Sequence, residues 1–206
     1  MTRGRFITLE GIEGAGKSTL LQGLAEALTR RGIPVCATRE PGGTALAEDI
    51  RRLVLERRVE GVPAATELLL MFAARAAHVA QRIEPELARG TWVLCDRFTD
   101  ASRAYQGAGR GMNIASIEAL AAIAHPGLAP DLTLLLDLAP EQGLRRARSR
   151  DAGGDRFEDE QMAFFARVRE GYLQMARAEP RRMRVLDATT APAALLQQAL
   201  AQVDAP

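Results

Sequence analysis

Short aliphatic and β-branched runs alternate along the chain with longer stretches of helical periodicity, the pattern of βαβ units and a parallel sheet. Five runs read as strands: 5–10 (RFITLE), 33–38 (IPVCAT), 92–96 (WVLCD), 132–138 (LTLLLDL) and 183–187 (MRVLD). Helical spacing fills the intervals, over about 17–31, 44–57, 64–88, 116–124, 140–148, 158–178 and 191–203. Gly32 is placed to end the first helix as a left-handed cap, and Pro85 predicts a kink or break near Glu84, since it has no N–H for the helical ladder. Two further segments read as loops: 39–43 (REPGG), directly after the second strand, and 149–156 (SRDAGGDR), between two helices. Loops at strand C-termini are where open α/β sheets bind ligands.

Composition narrows the class. The 206 residues suit one α/β domain over 1–206, and 47% hydrophobic with 26% charged residues are ordinary globular values. With 27 Lys+Arg against 26 Asp+Glu, the net charge is +1, so no global field exists to hold a nucleic acid, and any bound phosphate must be held locally. The N-terminus runs into an apolar strand without a signal-peptide core, and no apolar stretch reaches membrane-spanning length, so a cytoplasmic protein without membrane contact is expected. Cys36 and Cys95 lie at the ends of apolar runs and read as buried, reduced thiols without zinc-ligand spacing. All the basic residues but one are arginine; the single lysine is Lys17.

Lys17 stands in G-x-x-x-x-G-K-S, formed by Gly11, Ile12, Glu13, Gly14, Ala15, Gly16, Lys17 and Ser18, after a predicted strand and at the start of a predicted helix. Such a loop turns successive backbone N–H groups toward a phosphate at a helix N-terminus, with the lysine on the β- and γ-phosphates and the serine on Mg²⁺. With Thr19, these residues form the expected ATP site, and Mg²⁺ is the expected metal. The loop serves many NTPase classes. A GTPase would need an N/T-K-x-D motif, which one lysine and one asparagine (Asn113) cannot supply, and an LSGGQ signature is absent. Asp96, ending the third strand, is the candidate second ligand for the metal, with Asp137 as its rival; the nearby Pro140 makes Asp137 read more naturally as a helix-entry residue.

Beyond that loop stand E-G-I-E-G-A-G-K-S-T (10–19), T-R-E-P-G-G-T (38–44), M-F-A-A-R (71–75), D-R-F (96–98), A-Y-Q-G-A-G-R-G (104–111) and P-D-L-T-L-L-L-D (130–137). In this order, and over more than half of the chain, they resemble the thymidylate kinases of the bacterial type. The resemblance implies a three-layer P-loop NTPase fold of nucleoside monophosphate kinase type, with a five-stranded parallel sheet flanked by helices. It also implies transfer of the γ-phosphoryl group of MgATP to dTMP by a homodimer, for which the apolar helix faces over 67–80 provide a surface.

The residue roles follow from the same resemblance. Arg39, Arg51 and Arg97 surround the acceptor phosphate, a task suited to the two parallel bonds of a guanidinium. Phe72, or Met71 if the register differs by one, stacks on the pyrimidine, and Arg75 donates to thymine O4. Ser102, Tyr105 and Gln106 line the same pocket, with Tyr105 crowding the 2′ position, and Glu13 accepts from the 3′-OH. The lid, about 146–157, supplies the transition-state arginine from Arg148, Arg150 or Arg156, because Gly14 and Ala15 stand where some relatives carry an arginine in the loop. Its D-A-G-G-D stretch is short and glycine-rich, and Cys95 precedes Asp96 where other small residues could serve; neither departure touches a group the chemistry needs. A UMP/CMP-type kinase and a non-catalytic ATP-binding module are the alternatives that the residues leave open.

Overall fold

A computed structural model of the chain describes residues 2–150, 157 and 160–205, except for the side chains of Arg148 and Arg150. Five strands, β1 (Phe6–Glu10), β2 (Val35–Arg39), β3 (Trp92–Asp96), β4 (Leu132–Asp137) and β5 (Met183–Asp187), form one all-parallel sheet in the order β2-β3-β1-β4-β5. The expected sheet is therefore present. The central strand β1 is buried along its whole length, as a parallel strand covered on both faces must be. Its alternate positions serve two cores. Ile7 and Leu9 join Leu24 and Leu28 of helix α1 (Lys17–Arg30), while Phe6 joins Val93, Cys95, Val79, Ile83 and Leu87.

Helices fill the connections: α2 (Ala45–Leu55), α3 (Ala64–His78), α4 (Glu84–Ala88), α5 (Thr99–Ser102), α6 (Ile114–Ala124), α7 (Pro140–Arg150), α8 (Met162–Ala178) and α9 (Pro192–Asp204). Helix α1 ends as predicted: Gly32 adopts φ 79°, its N–H donates to Thr29 O, and Ile33 N–H donates to Leu28 O, the paired bonds of a Schellman motif. The long stretch predicted over 64–88 is divided by a π-helical turn, Val79–Ile83, just ahead of Pro85. The interruption thus spreads over the turn before the proline, whose missing N–H already breaks the ladder there.

One element was not legible in the periodicity. Residues 99–109 are helical, α5 continuing into a π-helical segment Arg103–Gly109 that packs along α8. This places A-Y-Q-G on a buried helical wall where a loop would otherwise be read.

The register sets the site. Asp96 pairs with both Leu9 and Arg39, so the chain leaves β1, β2 and β3 at one level. Three loops, the glycine-rich one after β1, R-E-P-G-G after β2 and D-R-F after β3, consequently open at the same edge of the sheet.

Candidate active site

These loops and the helices α3 and α5 enclose a cleft of about 260 Å³. Its walls bring together Glu13, Gly14, Gly16, Lys17, Ser18, Arg39, Arg51, Arg75, Asp96, Arg97, Ser102, Tyr105 and Gln106, all expected from the sequence. Glu40, Pro41, Leu55, Met71, Ala101 and Phe157 complete the lining. Of the pair read for the base platform, Met71 lines the cleft and Phe72 does not. Phe72 is buried with Leu68, Ile117 and Ala121, and its ring lies 4.5 Å from the Arg75 guanidinium, backing that side chain. Helix geometry explains the difference, because adjacent residues point about 100° apart.

At the donor end, Lys17 Nζ donates to Gly11 O at 3.0 Å and Ile12 O at 2.9 Å, folding over its own loop. Burial first, then Arg97, lower its pKa to about 8. Gly14 and Gly16 take φ 73° and 95°, left-handed values open to glycine at little cost, and these carry the loop around. Ile12 and Ala15 are buried in the core and anchor it, while Ser18 and Thr19 stand exposed in the first turn of α1.

Ser18 Oγ donates to Asp96 Oδ2 at 3.3 Å, and among the described residues Asp96 Oδ1 is buried with no hydrogen-bond partner. A buried carboxylate oxygen of that kind is unfavourable until a cation or water takes it. Ser18 and Asp96 thus fit a hard divalent ion that takes few protein ligands and completes its shell with water and phosphate. No cluster of three or more His, Cys, Asp or Glu ligands occurs among the described residues. The rival carboxylate is engaged elsewhere: both oxygens of Asp137 accept from Arg169 of α8, at 2.7 and 2.8 Å.

Arg97 lines the cleft and has φ 73°, a conformation that non-glycine residues avoid unless their surroundings impose it. The surroundings do so. Its N–H donates to Leu9 O, its carbonyl accepts from Cys95 Sγ, and the next N–H, that of Phe98, donates to Glu10 Oε1. The guanidinium donates to Gly11 O and to Glu13 Oε1 at 2.8 Å and lies over the Tyr105 ring. Tyr105 donates its hydroxyl to Glu13 at 2.8–2.9 Å, and burial keeps that phenol well above its usual pKa despite Arg97. Glu13, Arg97 and Tyr105 therefore form one knot facing Lys17. Further out, Arg39 pairs with Glu48 and Arg51 donates to Pro41 O.

Polar groups that the sequence reading missed hold this wall from behind. Arg75, 3% exposed, donates to Glu40, Ser102 and Phe98 O; Gln106 donates to Glu67, which also accepts from Arg110. Glu10 accepts from Tyr172, and burial followed by Asp100 raises its pKa to about 8. A carboxylate in an otherwise apolar run, Glu67 in E-L-L-L-M-F, was the available signal for one of them. Of the expected lid arginines, Arg156 and the side chains of Arg148 and Arg150 lie outside the described residues.

A phosphate-binding loop, a strand-end carboxylate beside it and an arginine-lined second subsite define a P-loop phosphotransferase of the nucleoside monophosphate kinase type. The comparisons with known proteins narrow this. The thymidylate kinase family model matches residues 9–199. The thymidylate kinase of Methylococcus capsulatus is 58% identical over 99% of this chain and 97% of its own, and that of Alkalilimnicola ehrlichii 56% identical over 91% and 87%. The crystal structure of the Ehrlichia chaffeensis thymidylate kinase superposes with a TM-score of 0.80 at 32% identity, covering 98% of this chain and 99% of that one. The chain belongs to the thymidylate kinase family.

Proposed function

We propose that this protein transfers the γ-phosphoryl group of MgATP to dTMP, giving dTDP and ADP. One observation carries the reading: Lys17 and Asp96 on the donor side share a single cleft with the Glu13–Arg97–Tyr105 knot. Phosphoryl transfer needs little covalent help, so the residues act by holding two anionic nucleotides in line and neutralising charge. Lys17 leaves its two carbonyl acceptors for the β- and γ-phosphates, and the loop N–H groups hold the rest of the donor. Ser18 and Asp96 hold Mg²⁺, which when bound spreads the developing phosphoryl charge.

On the acceptor side, Arg97, Arg39 and Arg51 hold the dTMP phosphate. Glu13 takes the sugar 3′-hydroxyl, Tyr105 stands against a 2′-hydroxyl, and Met71 gives the pyrimidine an apolar face. Arg75 reads O4 beside Ser102 and Gln106. The lid over 146–157 brings Arg148, Arg150 or Arg156 to the transferring group, as the loop itself offers only Gly14 and Ala15 there. The whole is one domain over 1–206, working in the cytoplasm as a homodimer. The two free cysteines are in keeping with that location, and among the described residues no helix is long and apolar enough to cross a membrane.

The roles of the two strand-end carboxylates separate by mutation. Asp96→Ala is expected to lower dTMP-dependent ADP release by orders of magnitude with the melting temperature kept, whereas Asp137→Ala loses only a partly exposed ion pair, worth about 1 kcal/mol or less, and keeps turnover. An active Asp96→Ala together with a dead but folded Asp137→Ala would reverse the assignment.

A further inference from the structure

Arg75 of α3 is held by a chain of polar contacts that runs away from the cleft. Its Nε donates to Glu40 Oε2 at 2.7 Å; the other oxygen, Glu40 Oε1, lies 3.0 Å from His78 Nδ1; and His78 Nε2 lies 2.7 Å from Thr38 Oγ1. Glu40 and His78 are buried, and Thr38 ends the chain on β2. Arg75 and His78 are three residues apart and share one face of α3, so a single carboxylate from the β2 loop receives both. The Glu40 pKa is lowered: burial opposes this, but Arg75 and His78 outweigh it, so the link is a pair of charge-assisted bonds. The backbone makes room for the ring. A Cβ on Gly43 would lie 2.4 Å from His78 Nε2 and 2.6 Å from Thr38 Oγ1.

We propose that Glu40 and His78 are positioning residues for base selection, fixing the Arg75 guanidinium so that its orientation admits a pyrimidine carrying a 4-carbonyl and rejects one carrying a 4-amino group. The guanidinium has five N–H donors. Glu40, Ser102 and Phe98 O take three, and the Phe72 and Phe98 rings, 4.5 and 5.4 Å from it, hold the plane. What remains toward the cleft is donor only, and a side chain fixed on this many sides cannot swing away to accommodate another donor. A buried donor left facing an amino group is unpaired, which is how a site built for one polar group excludes its analogue. This inference rests on the reading that Arg75 meets the pyrimidine, and adds that the selectivity belongs to the relay as much as to the arginine.

The test measures kcat and KM for dTMP and dCMP in wild type, Thr38→Val, Glu40→Gln, His78→Phe, His78→Asn and Arg75→Lys, with thermal melts as the control for folding. Loss of a charge-assisted bond should narrow the dTMP over dCMP preference in kcat/KM by about tenfold or more in Glu40→Gln and His78→Phe. The change should lie in the nucleotide KM, with the ATP KM unmoved. His78→Asn, which returns an N–H near the Nδ1 position, should recover much of it, and Thr38→Val should show a smaller change of the same sign. Folded Glu40→Gln and His78→Phe proteins with the wild-type preference would overturn the relay; should they not fold, an unchanged preference in Thr38→Val does so. If Arg75→Lys also keeps the preference, the underlying reading of Arg75 falls as well; if Arg75→Lys alters it and the relay variants do not, only the relay falls.

Discussion

Glu10 shows how far one residue's environment can depart from its type. It ends β1, is fully buried, and accepts from the Phe98 N–H and the Tyr172 hydroxyl, so it braces the turn in which Arg97 holds its positive φ. Its pKa is raised from 4.5 to about 8, by burial first. Between those two values the folded protein therefore keeps a proton that the unfolded chain has released. The stability linked to Glu10 is full below the unfolded value and is lost as pH rises through about 8, at roughly 1.4 kcal/mol for each pH unit crossed on the way. Glu10→Gln cannot titrate. Between about pH 5 and pH 8.5 the wild-type melting temperature should fall relative to that of Glu10→Gln; parallel curves would show that Glu10 does not carry this proton.

At the same scale the sequence exposed only part of the site. The loop residues and Asp96 were legible because spacing and a strand end mark them, and Arg97 through the resemblance that D-R-F carries. Glu40, His78 and Tyr172 were not, since each acts through a partner 35 or more residues away in the chain: Arg75 for Glu40, Thr38 for His78 and Glu10 for Tyr172.

Among the elements, the strands were the most legible, as continuous aliphatic runs in a sheet buried on both faces leave little ambiguity. The helical wall over 99–109 was the least legible. Its residues show no apolar stripe and include Gly107 and Gly109, poor helix formers. Tertiary packing decides there: a Cβ on Gly109 would meet Phe164 at 2.6 Å, so the glycine admits α8 at close range. A similar approach joins α7 to the phosphate loop, where a Cβ on Gly143 would stand 2.5 Å from Glu13 O. Alanine at a helical glycine ordinarily stabilises by about 0.5–1 kcal/mol. At Gly143 the clash with a loop carbonyl wins, so Gly143→Ala should destabilise by about 1–3 kcal/mol and raise the KM for ATP. A variant more stable than wild type with an unchanged ATP KM would show that the loop does not need this approach.

For the whole molecule, register rather than proximity in sequence assembles the cleft: β1, β2 and β3 end together, and three loops separated by tens of residues meet there. Exposed apolar side chains stand on helices that pack against one another, Leu46 and Leu53 on α2, Leu69 on α3, and Ile114 and Ile123 on α6, with α3 in contact with both of the others. This supports the proposed homodimer, since large apolar side chains left exposed on neighbouring helices are a common mark of an interface. Light scattering at micromolar concentration should give twice the chain mass, and Leu69→Glu with Ile123→Glu should shift it toward one chain; a monomeric wild type would contradict the dimer.

Group transfer to a thymine nucleotide is tested by coupled ADP production with MgATP and a panel of dTMP, dUMP, UMP, CMP, AMP and GMP, using Lys17→Ala as the blank. The enzyme should prefer dTMP strongly, and the blank should show no acceptor-dependent turnover. Preference for another nucleotide would keep the phosphate chemistry but contradict the roles given to Met71, Arg75 and Tyr105, and an absence of acceptor-dependent ADP release would contradict phosphoryl transfer itself.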